Sequence, residues 1–207
     1  GGEARASWGY NSGQRRVRRA PSLAFDSPIP EANGLHTADD FDMYNGATSR
    51  YTWKLQGKKE VYIPYNNYQL GSGDLKYKDI LQVGHINSEY TRYELHRVWF
   101  VEATLKENMR HIYSKRTFYI DEDSWSIILA ENYNELGELW RVNMSYTKNY
   151  YELPSTFPVL DVYKDLLARR YHVRGLDNEK GETYNFSNSF PPRSYFRPAA
   201  LRRRGHR

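Results

Sequence analysis

From Arg116 to Tyr151 the chain runs RTFYIDEDSWSIILAENYNELGELWRVNMSYTKNYY, and its second half alternates with a period of two. Trp140, Val142, Met144 and Tyr146 fall on one side of an extended chain, with Arg141, Asn143 and Ser145 on the other. A helix brings side chains back every 3.6 residues, so this pattern points to a half-buried strand. Just upstream, Trp125, Ile127, Leu129 and Tyr133 share a face in the same manner. Between the runs, Asn134-Glu135-Leu136-Gly137 supplies a turn whose glycine takes the positive φ a hairpin needs. A third run, Thr117–Ile120, ends at the turn cluster Asp121-Glu122-Asp123-Ser124. Together they predict a three-stranded antiparallel meander.

The same logic extends along the chain. Trp8 and Tyr10, the turn chemistry of Asn11-Ser12-Gly13 and the run Gln14–Arg19 predict a hairpin, with Arg16 and Arg18 on one face. Thr37–Tyr44 reads as a short helix with Thr37 as N-cap and acids in its first turn. Asp39, Asp40 and Asp42 would cap that helix or pair with arginines rather than hold a cation. Tyr51–Tyr65 reads as two short strands around Gly57, with Pro64 placing the second at a sheet edge. Asn66–Asp79 is polar and glycine-rich, which predicts a mobile excursion. Tyr93–Leu105 is apolar on both faces, with Trp99, Val101, Ala103 and Leu105 on one side and Val98, Phe100 and Thr104 on the other. Glu102 in that company needs a partner, for which a neighbouring Arg or Lys is expected. Val159–Val173 predicts a strand, a polar turn and a second strand. Pro198–Arg202 starts a short terminal helix before a loose basic tail.

The sum is a mainly β protein of nine to eleven strands: one strongly curved antiparallel sheet, an open or half barrel, with a few short helices. Residues 1–50 hold the hairpin, a loop and a short helix; 51–190 form the main sheet; 191–207 are the basic tail. The first residues, Gly1-Gly2-Glu3, read as the start of a fragment or a processed chain. No apolar run is long enough to cross a bilayer, and a chain without cysteine has no disulfide frame and no thiolate metal site.

The net charge of +5 is modest. Arg15, Arg16, Arg18 and Arg19 form its densest cluster, which suits a solvated strand face that meets anionic head groups or a partner better than it suits nucleic acid. There is no nucleotide loop, no metal pair at helical spacing and no nucleophile elbow, so no cofactor, metal or catalytic residue is predicted. Glu94 and His96 project from one strand face and resemble an acid/base pair, but nothing supplies a nucleophile or an oxyanion site. With Arg97 and Glu102 they are expected to form a polar network tying strands together. Binding is the better prospect. Trp99, Val101, Phe118, Ile120, Trp125, Ile127, Trp140, Val142 and Met144 are large, apolar and on sheet faces. Such residues build ordinary cores, but in a barrel with too little helix to fill it they line a cavity for an apolar ligand.

Several of these motifs resemble one superfamily. Trp8-x-Tyr10, Arg15–Arg19 and Thr37-Ala38-Asp39-Asp40-Phe41 are similar to a passage of outer-membrane lipoprotein-sorting proteins of the LolA/LolB type. Tyr119-Ile120-Asp121, Trp125-x-Ile127 and Tyr133-x-x-x-Gly137-x-Leu139-Trp140-Arg141 resemble a hairpin of the same superfamily. Trp53–Glu60, Pro64-Tyr65-Asn66 and Tyr93–Leu105 resemble more closely a family of uncharacterised periplasmic proteins within it. The likeness runs from about Ala6 to Arg202. It implies a curved sheet with helices plugging its concave side, in the periplasm or at the periplasmic face of the outer membrane. It implies non-enzymatic carriage of a lipid or other hydrophobic molecule, in company with an RND-type exporter. Members of that family are about twice this length, so the chain reads as a C-terminal half whose missing half, or a partner subunit, covers exposed apolar surface. A structural subunit of a larger envelope assembly is the alternative.

Overall fold

The structure is a computed structural model that describes residues 8–11, 13–19, 26–181, 184 and 190–205. Ser12 of the first expected turn, the start of the loop from Pro21 and the last two residues of the tail lie outside them. The chain divides into two compact units, one within Phe25–Gly181 and the other built from residues before and after it.

In the smaller unit, strands β1 (Trp8–Asn11) and β2 (Arg16–Arg19) form the expected antiparallel hairpin, with Trp8 opposite Arg19 and Tyr10 opposite Val17. The C-terminal helix runs from Pro198 to Gly205. It is longer than the sequence suggested, because Arg202, Arg203 and Arg204 continue it as its last turn, where cations suit the helix dipole. Gly205 is required there: a Cβ would overlap the Tyr10 ring.

The larger unit is organised by an open sheet of seven antiparallel strands. In chain order its strands are β3 (Tyr51–Pro64), β6 (Tyr93–Leu105), β7 (Lys115–Asp121), β8 (Ile127–Tyr133), β9 (Leu139–Tyr150), β10 (Ser155–Asp165) and β11 (Arg170–Arg174). A small hairpin, β4 (Leu81–Gln82) with β5 (His85–Ile86), stands apart from it. Their order across the main sheet is β11-β10-β9-β8-β7-β6-β3. The predicted meander is β7–β8–β9, and Gly137 takes its expected positive φ of 77° in the turn. The sheet is strongly curved. In a flat sheet β3 and β9 would lie about 19 Å apart, four strand spacings. Instead Thr147 Oγ1 on β9 donates to the Pro64 carbonyl at 3.2 Å, and the Asn67 N–H donates to the Thr147 carbonyl at 2.9 Å.

Three local expectations are corrected. Tyr51–Pro64 is one long strand and not two, since Gly57, at φ 115°, makes a bulge rather than a turn, with Leu55 opposite Val101 and Gly57 opposite Phe100. This strand is an edge, as Pro64 suggested, and Lys54, Lys58, Lys59 and the bulge guard it against strand addition. Thr37–Tyr44 is not a helix with an N-cap. Its only helical piece is the 3₁₀ turn Phe41–Met43, within which Asp42 is left-handed. Asn66–Asp79 is not an open excursion: Leu70 is fully buried, and Asn178 Nδ2 donates to its carbonyl at 2.8 Å.

Register assigns every sheet residue to a face. On one face a row runs Trp53–Ala103–Arg116–Asn132–Arg141–Asp165, and beside it runs Leu55–Val101–Phe118–Ala130–Asn143–Tyr163. Residues 37–44 pack on this face, with Met43 joining Tyr51, Ala103, Phe118, Ala130 and Tyr163 in a core. The opposite face carries Phe100–Tyr119–Leu129–Met144–Val162–Val173 and Thr117–Glu131–Val142–Lys164–Tyr171. There Leu70, Ile80 and Ile86 pack on Tyr146 and Leu160. Short segments therefore cover both faces, with the one-turn helix Tyr77–Ile80 on the second and the 3₁₀ turn Phe41–Met43 on the first, where the resemblance implied plugging helices.

This topology inverts the plain expectation for β9, in which the polar side meets water. Arg141, Asn143, Ser145 and Thr147 are buried, while Trp140, Val142 and Met144 are only half-buried. Arg141 donates to Asp165 and Ser145 to Asp161 on the adjacent strand, but the partner of Asn143 lies far away in sequence. Asp40, fully buried, accepts from Arg116 Nη2 at 2.6 Å, Tyr113 Oη at 3.0 Å and Asn143 Nδ2 at 3.2 Å. Asp39 lies 3.1 Å from Arg116 Nη1 and 3.2 Å from His111 Nε2. Burial works against its ionisation, but His111, Arg116 and Thr37 together hold its carboxyl below the usual range.

Candidate functional site

A cavity of about 340 Å³ opens on the face opposite this ionic core. Its floor is Val142 and Met144 of β9 and Val162 and Lys164 of β10, and its roof is the β4–β5 hairpin with the chain to Tyr93. The floor follows from the alternation of the two strands, which directs these side chains to one side. The roof is fixed at three points. Ile80 and Ile86 are buried against Tyr146 and Leu160, the Tyr171 hydroxyl donates to the Gln82 carbonyl at 2.6 Å, and Gly84, at φ 83°, turns the hairpin. Tyr93 and Tyr146 close one end with their hydroxyls 2.9 Å apart. Burial, followed by that bond, raises the pKa of Tyr146, so the hydroxyl stays neutral. The exposed wall is thus mostly apolar, with His85, Ser88, Thr91, Lys164 and tyrosine hydroxyls among the lining, which suits an apolar molecule with a polar group.

The residues expected to line a cavity are divided by the sheet. Val142 and Met144 line this one. Trp99, Val101, Phe118 and Ile120 lie on the other face, where Val101, Phe118, Ile120 and Ile127 pack around Met43, Tyr51 and Ala103 as core. Trp140 donates its Nε1–H to Asp165 Oδ2 at 3.0 Å and stacks under the Arg141 guanidinium. Trp125 is not on a strand: it sits in the turn before β8 at φ 57°, is 71% exposed, and stacks on Trp99. Arg15, Arg16 and Arg18 are exposed on the small hairpin, and of Arg19 only the backbone is described.

The polar group on β6 joins separate elements. His96 Nδ1 lies 2.9 Å from Asp121 Oδ1, and Glu94 accepts from Asn66 Nδ2 at 2.8 Å and Arg92 Nε at 2.9 Å. Burial opposes ionisation of Glu94, but those two bonds outweigh it and its carboxyl sits below the usual range. Arg97 donates to Glu122 at 2.6 Å. Glu102 takes its bond from Gln56, the extra residue of the β3 bulge, and not from the Arg or Lys expected. His96, Asp121 and Asp123 offer donor atoms within 4.8 Å of one another, a spacing that suits a cation. Both Asp121 oxygens are already engaged, however, by His96 and by the Ser124 N–H and hydroxyl, so a metal would have to displace internal bonds.

Sequence inspection missed Ile86, Tyr93, Tyr171 and Lys164 as cavity residues. A two-residue strand such as β4 or β5 carries no period to detect. For Lys164 a signal existed: it stands on the alternating side of Val159–Asp165 that also bears Val162.

A family model described as "Protein of unknown function (DUF1329)" matches residues 2–202, and the chain belongs to that family. An uncharacterized protein of Pseudomonas aeruginosa is 51% identical over 205 residues, covering 99% of this chain and 45% of its own length. The chain therefore spans less than half of that relative. Among solved structures, an outer membrane lipoprotein-sorting protein domain from Vibrio parahaemolyticus superposes with a TM-score of 0.55 at 12% identity, over 95% of this chain and 66% of that one. A DUF1329 family protein from Desulfovibrio piger gives 0.54 at 14% identity, over 95% and 64%. At such identities the likeness is one of fold.

Proposed function

We propose that this DUF1329 family member is a non-enzymatic periplasmic carrier of a lipid or other hydrophobic molecule, in the service of a transporter of the RND class. The observation that carries the proposal is the apolar cavity over β9 and β10, roofed by a hairpin that packing holds in place. The fold shared with a lipoprotein-sorting domain agrees with it. So does the use of Glu94, His96 and Asp121 as structural ties rather than as groups aimed at a substrate. The test is titration of delipidated protein with the neutral fluorophore N-phenyl-1-naphthylamine. One probe per chain is expected. Met144→Arg, which sets a charge in the cavity, and Val162→Trp, which fills it, should each weaken binding at least about tenfold while the far-ultraviolet circular dichroism is unchanged. Absence of binding, or equal binding by both variants, overturns the proposal.

A second reading, a structural role within a larger assembly, has its own observation. Leu55, Tyr62, Leu95 and Trp125 are exposed, and Tyr62 and Leu95 are direct cross-strand neighbours. Co-sedimentation of this chain with the remaining part of a full-length relative, lost in Tyr62→Lys/Leu95→Lys, would support it. Independent sedimentation would remove it.

A further inference from the structure

We infer that the cavity selects an acidic, single-chain amphiphile whose head group meets Lys164 and whose tail lies over Met144 and Val162. This rests on the carrier reading and adds a ligand class to it.

Among the described residues, Lys164 is the one Lys or Arg in the lining of the cavity. Along β10, Lys164 pairs with Val142 on one side and Tyr171 on the other. Two residues back, Val162 pairs with Met144, and two further on Leu160 pairs with Tyr146. At about 3.3 Å per residue, the distance from the Lys164 row to the Leu160 row is about 13 Å. At the far row Leu160 and Tyr146 are buried, and the Tyr93 hydroxyl meets that of Tyr146. A volume near 340 Å³ stands at the lower end of the range for ligand pockets, which suits one acyl chain better than two.

Lys164 lies at the opposite end of the floor. Among the described residues no carboxylate lies within ion-pair distance of it. Asp161 and Asp165 on its own strand point to the other face. By register the nearest carboxylate on its own face is Glu131, two strands away at about 10 Å. Glu131 is already engaged by the hydroxyls of Tyr119 at 3.2 Å and Tyr133 at 2.7 Å. A half-buried ammonium between Val142 and Tyr171 with no carboxylate at ion-pair distance offers charge-assisted hydrogen bonds to an anionic head group. Either a carboxylate or a phosphate monoester supplies that charge.

The test is displacement of N-phenyl-1-naphthylamine by four decyl-chain ligands: decanoate, decyl phosphate, decanol and decyltrimethylammonium. The two anions should displace the probe about tenfold better than decanol, with the cation weakest. The better of the two names the head group. Lys164→Ala should bring the anions level with decanol, and Lys164→Glu should favour the cation, each displacement being referred to that of decanol in the same variant. If decanol equals the anions in the wild type, or Lys164→Ala keeps their advantage, the head-group inference fails and the carrier reading stands. If the probe binds to neither the wild type nor the variants, the carrier reading fails with it.

Discussion

Replacing Arg116 with Met isolates the ionic core. The guanidinium is fully buried, 2.6 Å from Asp40 and 3.1 Å from Asp39, and lies over the rings of Tyr44, Tyr113 and Phe118. Methionine replaces most of the stem but leaves two carboxylates without their main cation. Asp39 keeps His111, whereas Asp40 keeps only neutral donors from Thr37, Tyr113 and Asn143. Removing one partner of a buried pair costs about 3–5 kcal/mol, against a total stability of about 5–15 kcal/mol for a domain. With a urea slope of about 1–3 kcal/mol per molar, the midpoint should fall by about 2 M, followed by far-ultraviolet circular dichroism. The companion variant Asp39→Asn/Asp40→Asn/Arg116→Met removes the charges together. It should recover to within about 1–2 kcal/mol of wild type, because a buried pair often does no better than neutral groups of like volume. A loss below about 1 kcal/mol for Arg116→Met, or no recovery in the triple variant, would refute the assignment of this cluster as the link between residues 37–44 and the sheet.

Asp161 gives a pH test. Burial pushes its carboxyl up to about 6, with Ser145 and Arg174 pulling the other way. The folded chain thus holds that proton more tightly than the unfolded chain, and the stability this contributes is complete below about pH 4 and lost as pH rises through 6. Burial lowers the pKa of His36 and of His172, so their contribution is present above about 6.5 and is lost as pH falls, in the opposite sense. Asp161→Asn should therefore be more stable than wild type at pH 7 by up to about 3 kcal/mol, with the gap closing toward pH 4; a gap that stays constant from pH 7 to 4 in urea titrations would contradict this. Gly57→Ala should cost about 1–2 kcal/mol through φ alone, since an added Cβ meets nothing within 4 Å, and the thermal midpoint reports it. The Asn132 side chain is buried with no hydrogen-bond partner among the described residues, so Asn132→Leu should stay within about 1 kcal/mol of wild type. Asn143→Leu, which takes a donor from Asp40, should lose about 1–3 kcal/mol in the same denaturation assay.

Strands were legible because a period of two needs only the local sequence, and β6 to β10 all carried it. The buried side was not legible. Alternation in β9 separates Arg141, Asn143 and Ser145 from Val142 and Met144, but which set faces inward depends on what packs there. Here it is Asp39 and Asp40, more than seventy residues upstream in the chain. The same two acids made Thr37–Tyr44 look like a capped helix, since a first-turn carboxylate and a carboxylate aimed at a distant arginine read alike. Gly57 was ambiguous for a related reason: positive φ serves a turn and a bulge equally. The cavity was half legible. Val142 and Met144 were singled out, while the hairpin that roofs them is too short to leave a pattern, and of the tryptophans that drew attention Trp99 stacks on the exposed Trp125 and Trp140 bonds to Asp165.

The reach of Asp40 has a temporal consequence. Its partners stand 76, 103 and 123 residues downstream, at Arg116, Asn143 and Tyr163. The seat of residues 37–44 is therefore complete only when β7, β9 and β10 are all in place. Contacts of such long range slow folding.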